Sequence, residues 1–301
     1  MPARKRAAAA VTKPDAEGAK PKIRKVKEAF NKLTAREWTQ MSRNVWSDLS
    51  SPRDPHQLAH GAVFPVKLAD RLIRMYSAPG DLVLDPFAGV GTTLVAAKRA
   101  DRRAAGIELN PEFVDVASQW LNDEQSLLSS HEAPVLTCAD VRSLTKHVDL
   151  ASVQVTVTSP PYANFIRRSE KDRSTTHKTS RIVETNNSRA KSYSDDPRDL
   201  GNVDYDTFLE ELKVVFEGLH AVTRDEGYAA WVVKDYRLPP KRPYISMHSD
   251  IARVAQDAGW LWHDLIVWDQ NEQRRLILLG YPSRFYSNQN CSFIVVLRKS
   301  G

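Results

Sequence analysis

Hydrophobic positions along the 301-residue chain recur with two periods, and their alternation predicts the architecture. Leu68, Leu72, Ile73 and Tyr76 recur at helical spacing in "HGAVFPVKLADRLIRMYSAPGD", and Pro79-Gly80 ends that helix. Strands and helices then take turns. "DLVLDPF" (81–87) reads as a strand and "GTTLVAAKRA" (91–100) as a helix. "AAGIEL" (104–109) is a strand, and "NPEFVDVASQWLNDEQSLL" (110–128) a helix opened by Asn-Pro. "APVLTCAD" (133–140) and residues 153–158 are a third and a fourth strand. After a polar insert, "DYDTFLEELKVVFEGLHAVT" (204–223) is a helix that Asp204 or Asp206 caps, "GYAAWVVK" (227–234) a fifth strand and "HSDIARVAQDAG" (248–259) a helix. "LWHDLIVWD" (261–269) and "CSFIVVLRK" (291–299) follow with no helix pattern between them.

Alternating strands and helices imply a mostly parallel sheet covered on both faces, and two last strands without a helix imply an antiparallel pair at one edge. The expected fold class is α/β: a doubly wound, mostly parallel seven-stranded sheet with an antiparallel terminal hairpin. Ligands of such sheets bind at the carboxyl ends of the strands, so strand-end residues carry the chemistry.

Charge changes the picture only after partition. The formal net charge is +6, but residues 1–28 hold nine Lys/Arg against three Asp/Glu, which leaves 34 of each sign in the remainder. Residues 1–28 are expected to be a disordered basic tail, either resting on phosphates or a solvated leader without a specific role. Residues 29–80 are expected to pack on the cofactor site and 81–301 to form the catalytic domain. No stretch approaches the ~20 apolar residues of a membrane span, and neither a signal peptide nor a membrane partner is expected. Cys138 and Cys291 lie far apart and suggest neither a disulfide framework nor a metal site, and His60 has no metal-ligand spacing. A reducing, cytoplasmic setting is the expectation.

"DPFAGVGTT" (85–93) joins the first strand to its helix. Gly89 and Gly91 allow a tight turn and close approach of a ligand, and Thr92 and Thr93 open the helix. It is neither the dinucleotide fingerprint, since Leu94 stands where a third glycine is required, nor a P-loop, since no Gly-Lys-Ser/Thr follows. An acid ahead of the loop suits a ligand with a positive end. Glu108 closes the second strand, placed to accept from ribose hydroxyls, and Asp140 closes the third, placed to meet an adenine amino group. Each acid alone is equally a helix cap; three in register outline a nucleoside that carries a cation.

"VLDPFAGVGTT", "IELNP", "CADV" and "TSPPY" resemble the cofactor and catalytic motifs of S-adenosylmethionine-dependent amino-methyltransferases acting on DNA bases. The resemblance covers residues 56–299 and implies a Rossmann-like class I methyltransferase fold. It also implies that Asp85, Phe87, Gly89 and Gly91 surround the methionine moiety, with Thr92 and Thr93 nearby. Glu108 would hold the ribose, Asp140 the adenine, and Phe64 and Pro65 would wall the pocket. The serine of Ser159-Pro160-Pro161-Tyr162 implies the group that makes N4-methylcytosine, where adenine-N6 enzymes more often carry Asp or Asn. An adenine-N6 enzyme, an RNA base amino-methyltransferase and a non-catalytic S-adenosylmethionine sensor are the alternatives.

The chemistry agrees with that turn. A cytosine amine is a weak nucleophile because its lone pair is delocalised, and accepting hydrogen bonds from its N–H groups draws the lone pair out. Ser159 Oγ and the Pro160 carbonyl are such acceptors, the two prolines fix the backbone, and Tyr162 offers a face on which an extruded base stacks. Residues 163–191 then hold eight Lys/Arg against three Asp/Glu, a basic patch in a body whose charges balance as a whole. Within it Arg167, Arg168, Lys171, Arg173 and Arg181 are expected DNA contacts, and Arg274 and Arg275 mark a second DNA-facing loop. The expected partner is double-stranded DNA, and with no large recognition domain expected after the last strand, recognition is expected from the insert (163–205), from Phe30–Gln57, from residues 271–290 or from a second subunit; the expected state is monomer or homodimer in a restriction-modification or orphan system.

Overall fold

The computed structural model describes residues 28–49, 54–58, 63–124, 132–163, 194–237, 243–274 and 285–301. In chain order the elements are α1 (Ala35–Met41), β1 (Val45–Trp46), α2 (Pro55–Leu58), α3 (Val66–Tyr76), β2 (Leu82–Asp85), α4 (Thr92–Arg99), β3 (Arg103–Glu108), α5 (Pro111–Asp123), β4 (Val135–Cys138) and β5 (Val153–Thr158). They continue with α6 (Tyr205–Val222), β6 (Thr223–Val233), β7 (Tyr236–Arg237), β8 (Tyr244–Ile245), α7 (Met247–Asp257), β9 (Leu261–Asp269) and β10 (Cys291–Arg298). Two 3-10 turns, Val141–Lys146 and Leu200–Asn202, precede β5 and α6.

One sheet runs in the order β1-β9-β10-β6-β5-β2-β3-β4. Strands β6, β5, β2, β3 and β4 are parallel neighbours, and β10 alone is antiparallel, set between β6 and β9. The doubly wound, mostly parallel sheet expected from the sequence is present, with two additions. The terminal hairpin does not form the edge: the two-residue β1 pairs alongside β9 and makes an eighth strand, too short for a periodic signal. Strands β7 and β8 form a separate two-stranded ribbon beside the end of β6.

Burial explains the two faces. On one, Leu68, Leu72 and Ile73 of α3, Leu94 of α4 and Trp120 of α5 cover Val155, Val157 and Val232. On the other, Phe208, Leu212 and Phe216 of α6 and Ile251 of α7 cover Trp231 and Val295. The central strand β5 is buried at all six positions, as a parallel strand roofed on both faces must be. Helix starts follow local chemistry: Asn110 accepts from Glu112 N ahead of Pro111, and Asp204, not Asp206, caps α6 by accepting from Thr207 N.

The chain runs outward from β2 through β3 to β4, then returns to β5 on the other side of β2. The switch point therefore lies between β2 and β5, where the crevice at the carboxyl ends opens. Gly106 of β3 is what lets the loop after β2 lie down on the sheet, because a Cβ there would meet Ala88 Cβ and Leu94 Cδ1 at 3.0 Å each and Leu136 Cδ1 at 3.1 Å. Gly106→Ala is expected to cost about 1–3 kcal/mol through overpacking, read as a lower urea midpoint with an unchanged slope.

Candidate active site

The crevice is lined by Val63, Phe64, Asp85, Phe87, Ala88, Gly89, Thr92, Glu108, Leu109, Asn110, Phe113, Ser159, Pro160, Pro161, Ser194 and Asp199. The loop after β2, the end of β3 and the turn after β5 thus meet in one cavity.

The loop is shaped by glycine and pinned by carboxylates. Gly89 and Gly91 sit at φ 52° and 88°. Gly91 starts α4 without a side-chain cap, and a Cβ there would lie 3.1 Å from Ala117 Cβ, so the left-handed turn and the close approach both require glycine. Glu108 receives Gly89 N on Oε2 and Asn110 N on Oε1, each at 2.8 Å, and so ties the loop to the next strand. Asp85, 3% exposed, accepts from Thr158 Oγ1 at 2.6 Å and from Phe87 N at 3.1 Å. The Thr93 hydroxyl, which also faces the Val157 carbonyl at 3.2 Å, adds to that shell. Thr92 Oγ1 accepts from buried Gln57 Nε2, which also donates to the Phe64 carbonyl, both at 3.1 Å. Gln57 of α2 therefore holds the Phe64 wall against the loop.

Burial pushes the Asp85 carboxyl up to about 6, against the pull of Thr158, Thr93 and the Phe87 N–H. Burial likewise pushes Glu108 up to about 6, helped by the charge of Asp85 and opposed by the N–H groups of Asn110 and Gly89. No ion pair satisfies either acid among the described residues. Two acids aimed at one cavity with apolar walls and no cation fit a ligand that brings its own positive charge and hydroxyls.

The Ser159-Pro160-Pro161 turn leaves β5 beside β6, where Thr158 pairs with Trp231. Ser159, Pro160 and Pro161 line the cavity. Tyr162 does not: its ring stands edge-on to Tyr236 with centroids 6.0 Å apart, and its hydroxyl bonds Ser159 and the backbone of Lys234. Burial pushes Tyr162 up to about 12, so the hydroxyl stays protonated.

The other expected site residues are placed as follows. Phe64 lines the cavity; Pro65 starts α3 outside the lining. Asp140 is also outside it. Its oxygens take Arg142 N, Nε and Nη2 at 2.6–3.1 Å. Burial pushes against ionisation there, but the Arg142 contacts hold the Asp140 carboxyl below the usual range. Arg274 donates to Gln270 Oε1 at 2.9 Å, and its charge is felt at Tyr162 and Lys234. Arg167, Arg168, Lys171, Arg173, Arg181, Arg275 and His60, with most of the basic tail and the insert, lie outside the described residues. No group of three metal-ligating side chains occurs among the described residues, nor any helix long and apolar enough to cross a membrane.

Several residues of the site carry no motif signal. Ser194 and Asp199 come from the end of the polar insert, where only the Asp-Leu-Gly capping pattern marks Asp199. Lys234 continues β6 next to the Ser159 turn with its ammonium buried and without a hydrogen-bond partner among the described residues; burial, then repulsion from Arg274, lowers it to about 8. Asp235 accepts from Tyr244 Oη at 2.8 Å and contacts His248 Nδ1 at 2.9 Å, which locks β8 and α7 to the end of β6.

Comparison with known proteins adds family evidence. The N6/N4 methyltransferase family model, described as DNA methylase, matches residues 5–119, through the cofactor loop and Glu108. Type II methyltransferase M.MthZI of Methanothermobacter thermautotrophicus is 43% identical over 95 residues, 30% of this chain and 27% of that protein. Type II methyltransferase M.Cfr9I of Citrobacter freundii is 44% identical over 84 residues, 28% of this chain and 27% of that protein. These matches span about a quarter of the relatives' length. A solved structure, TrmN from Thermus thermophilus, aligns with 83% of this chain and 55% of its own at 15% identity and a TM-score of 0.48. The likeness to DNA methylases thus lies in residues 5–119, the part of the chain that holds the loop after β2 and Glu108.

Proposed function

We propose that the chain transfers a methyl group from S-adenosylmethionine to the N4 amine of a cytosine turned out of double-stranded DNA. The observation that carries this reading is the single cavity shared by the Asp85–Thr92 loop, Glu108 and the Ser159-Pro160-Pro161 turn. A cation-seeking acid pair and an amine-accepting turn face the same space.

Asp85, Phe87, Gly89, Thr92 and Glu108 would hold the cofactor, with Phe64 walling it. Bound there, S-adenosylmethionine supplies an electrophilic methyl on a sulfonium. The chain's own residues do the rest. Ser159 shares a hydrogen bond with the Tyr162 hydroxyl; donating its proton there leaves its oxygen lone pairs aimed at the amine. Accepting from the amine N–H builds electron density on nitrogen as the new bond forms. Pro160 and Pro161 keep that geometry preorganised. Serine rather than an acid at the head of the turn favours cytosine, and the basic residues of 163–191 supply phosphate contacts for DNA. The description of the family model that matches residues 5–119, DNA methylase, supports a DNA substrate.

Three outcomes test this reading. Nucleoside mass spectrometry of DNA treated with the protein is expected to show N4-methylcytosine; N6-methyladenine as the product overturns the base assignment. Ser159→Ala should lower the transfer rate by roughly 10²–10³-fold and leave cofactor affinity within about twofold. Replacing Arg167 and Arg168 with Gln should weaken DNA binding and reduce the slope of log affinity against log salt by up to about two, measured by fluorescence anisotropy.

The acid pair sets a pH dependence. Asp85 and Glu108 have folded values near 6, above their unfolded ones. Their contribution to stability is therefore full below about pH 4 and lost as pH rises through about 6. A bound cation favours the ionised carboxylates, so the affinity for S-adenosylmethionine is expected to rise from about pH 5 to about pH 7 and then level off. Titration calorimetry in buffers of different ionisation enthalpy should register proton release on binding near pH 6. An affinity that is flat across that window counts against the two acids facing the cofactor.

A further inference from the structure

We propose that Asp199, held by Ser194, is the carboxylate that receives the adenine amino group of the cofactor, in place of the motif residue Asp140. This rests on the cofactor reading above and names the group that completes it.

Asp140 is already saturated. Arg142 N and Nε reach its Oδ1 at 2.9 Å, and Arg142 Nε and Nη2 reach its Oδ2 at 3.1 and 2.6 Å. It also stands outside the cavity lining. Freeing either oxygen for a ligand means breaking a charge-assisted bond, an expensive exchange in a half-buried place.

Asp199 offers what Asp140 lacks. It is 6% exposed and lines the cavity. Its Oδ1 accepts from Gly201 N and its Oδ2 from Ser194 Oγ, each at 2.8 Å. Every carboxylate oxygen has two acceptor sites, so each keeps one for a further donor. Asn202 Nδ2 donates to the carbonyls of Ser194 and Asp196 at 3.1 and 2.9 Å and fixes this turn. Leu109 and Phe113, which line the same cavity beyond β3, supply apolar flanks for a flat ring.

The turn's position favours the cofactor's amine over that of the target base. Arg142, which grips Asp140 at the end of β4, also donates from Nη2 to the Arg198 carbonyl at 3.1 Å and from Nη1 to Glu211 of α6 at 2.9 Å. It thereby suspends residues 198–199 over the β4 side of the cavity. The Ser159 turn leaves β5, with β2 and β3 between it and β4.

The test compares S-adenosylhomocysteine with its 6-deamino analogue, by titration calorimetry on the full chain, for the unaltered protein and for Asp199→Ala, Asp199→Asn and Asp140→Ala. The unaltered chain is expected to bind the deamino analogue roughly tenfold more weakly, one hydrogen bond to a charged group. Asp199→Ala should bind the two compounds within about twofold of each other, Asp199→Asn, which loses the charge but keeps an accepting oxygen, should discriminate less than the unaltered chain, and Asp140→Ala should keep the full discrimination. Asn tests the loss of the charge with the turn's geometry retained, and thermal melts establish that each variant is folded. Discrimination that survives in both Asp199 variants overturns the proposal, as does its loss in Asp140→Ala alone. An Asp199 variant that keeps the discrimination but loses turnover on DNA assigns the residue to the target base instead. Failure of the unaltered chain to bind either compound overturns the cofactor reading itself, and this proposal with it.

Discussion

The Thr158 hydroxyl and the Asp85 carboxylate, 2.6 Å apart, join the two halves of the site. One closes β5 and the other closes β2, the neighbouring strands at which the sheet reverses its order. Without that bond the loop that follows β2 and the turn that follows β5 would be set independently, each with the slack of its own connection. With it, a displacement of one strand end is passed to the other through a short buried contact. Thr93 and the Phe87 N–H surround the same carboxylate, so the acid is a junction before it is a ligand.

That junction has an electrostatic cost. Burying two acids near one another without a cation disfavours their charged forms, and proteins tolerate this where function needs it. The sheet tolerates it here because backbone N–H groups and hydroxyls from three elements already donate to Asp85 and Glu108. Two buried or half-buried arginines elsewhere are satisfied, unlike the Lys234 ammonium. Arg102 is satisfied by the carbonyls of Ala100 and Ser77 and by Ser77 Oγ, and Arg142 by Asp140 and Glu211. The unpaired acids are confined to the cavity.

Much of this was legible in the sequence because it rests on period and on glycine. The strands at 153–158 and 261–269 and the helix over 204–223 announce themselves through apolar spacing, and the Gly89–Gly91 turn through the residues only such a turn requires. What escaped has a different origin. The two-residue β1 carries too few side chains to show a period, and its place against β9 is decided by Trp46 finding cover in the core. Gln57 reaches Thr92 across 35 positions, a contact no local pattern encodes. Tyr162 follows the motif, yet its ring packs edge-on against Tyr236 of β7, a contact 74 positions away that no local pattern encodes. Asp140 was legible as a strand-end acid; that Arg142, two residues on, would occupy it was not.

The stretch between β5 and α6 leaves from buried Ala163 and returns at Ser194 and Asp199 in the cavity wall, so both its ends are anchored in the folded body. Its closure is therefore performed by the fold, whatever lies between. Closing a longer connection across the same two anchors costs on the order of 0.6 kcal/mol for each doubling in length. The sheet is nearly indifferent to how long that stretch is or what it spells.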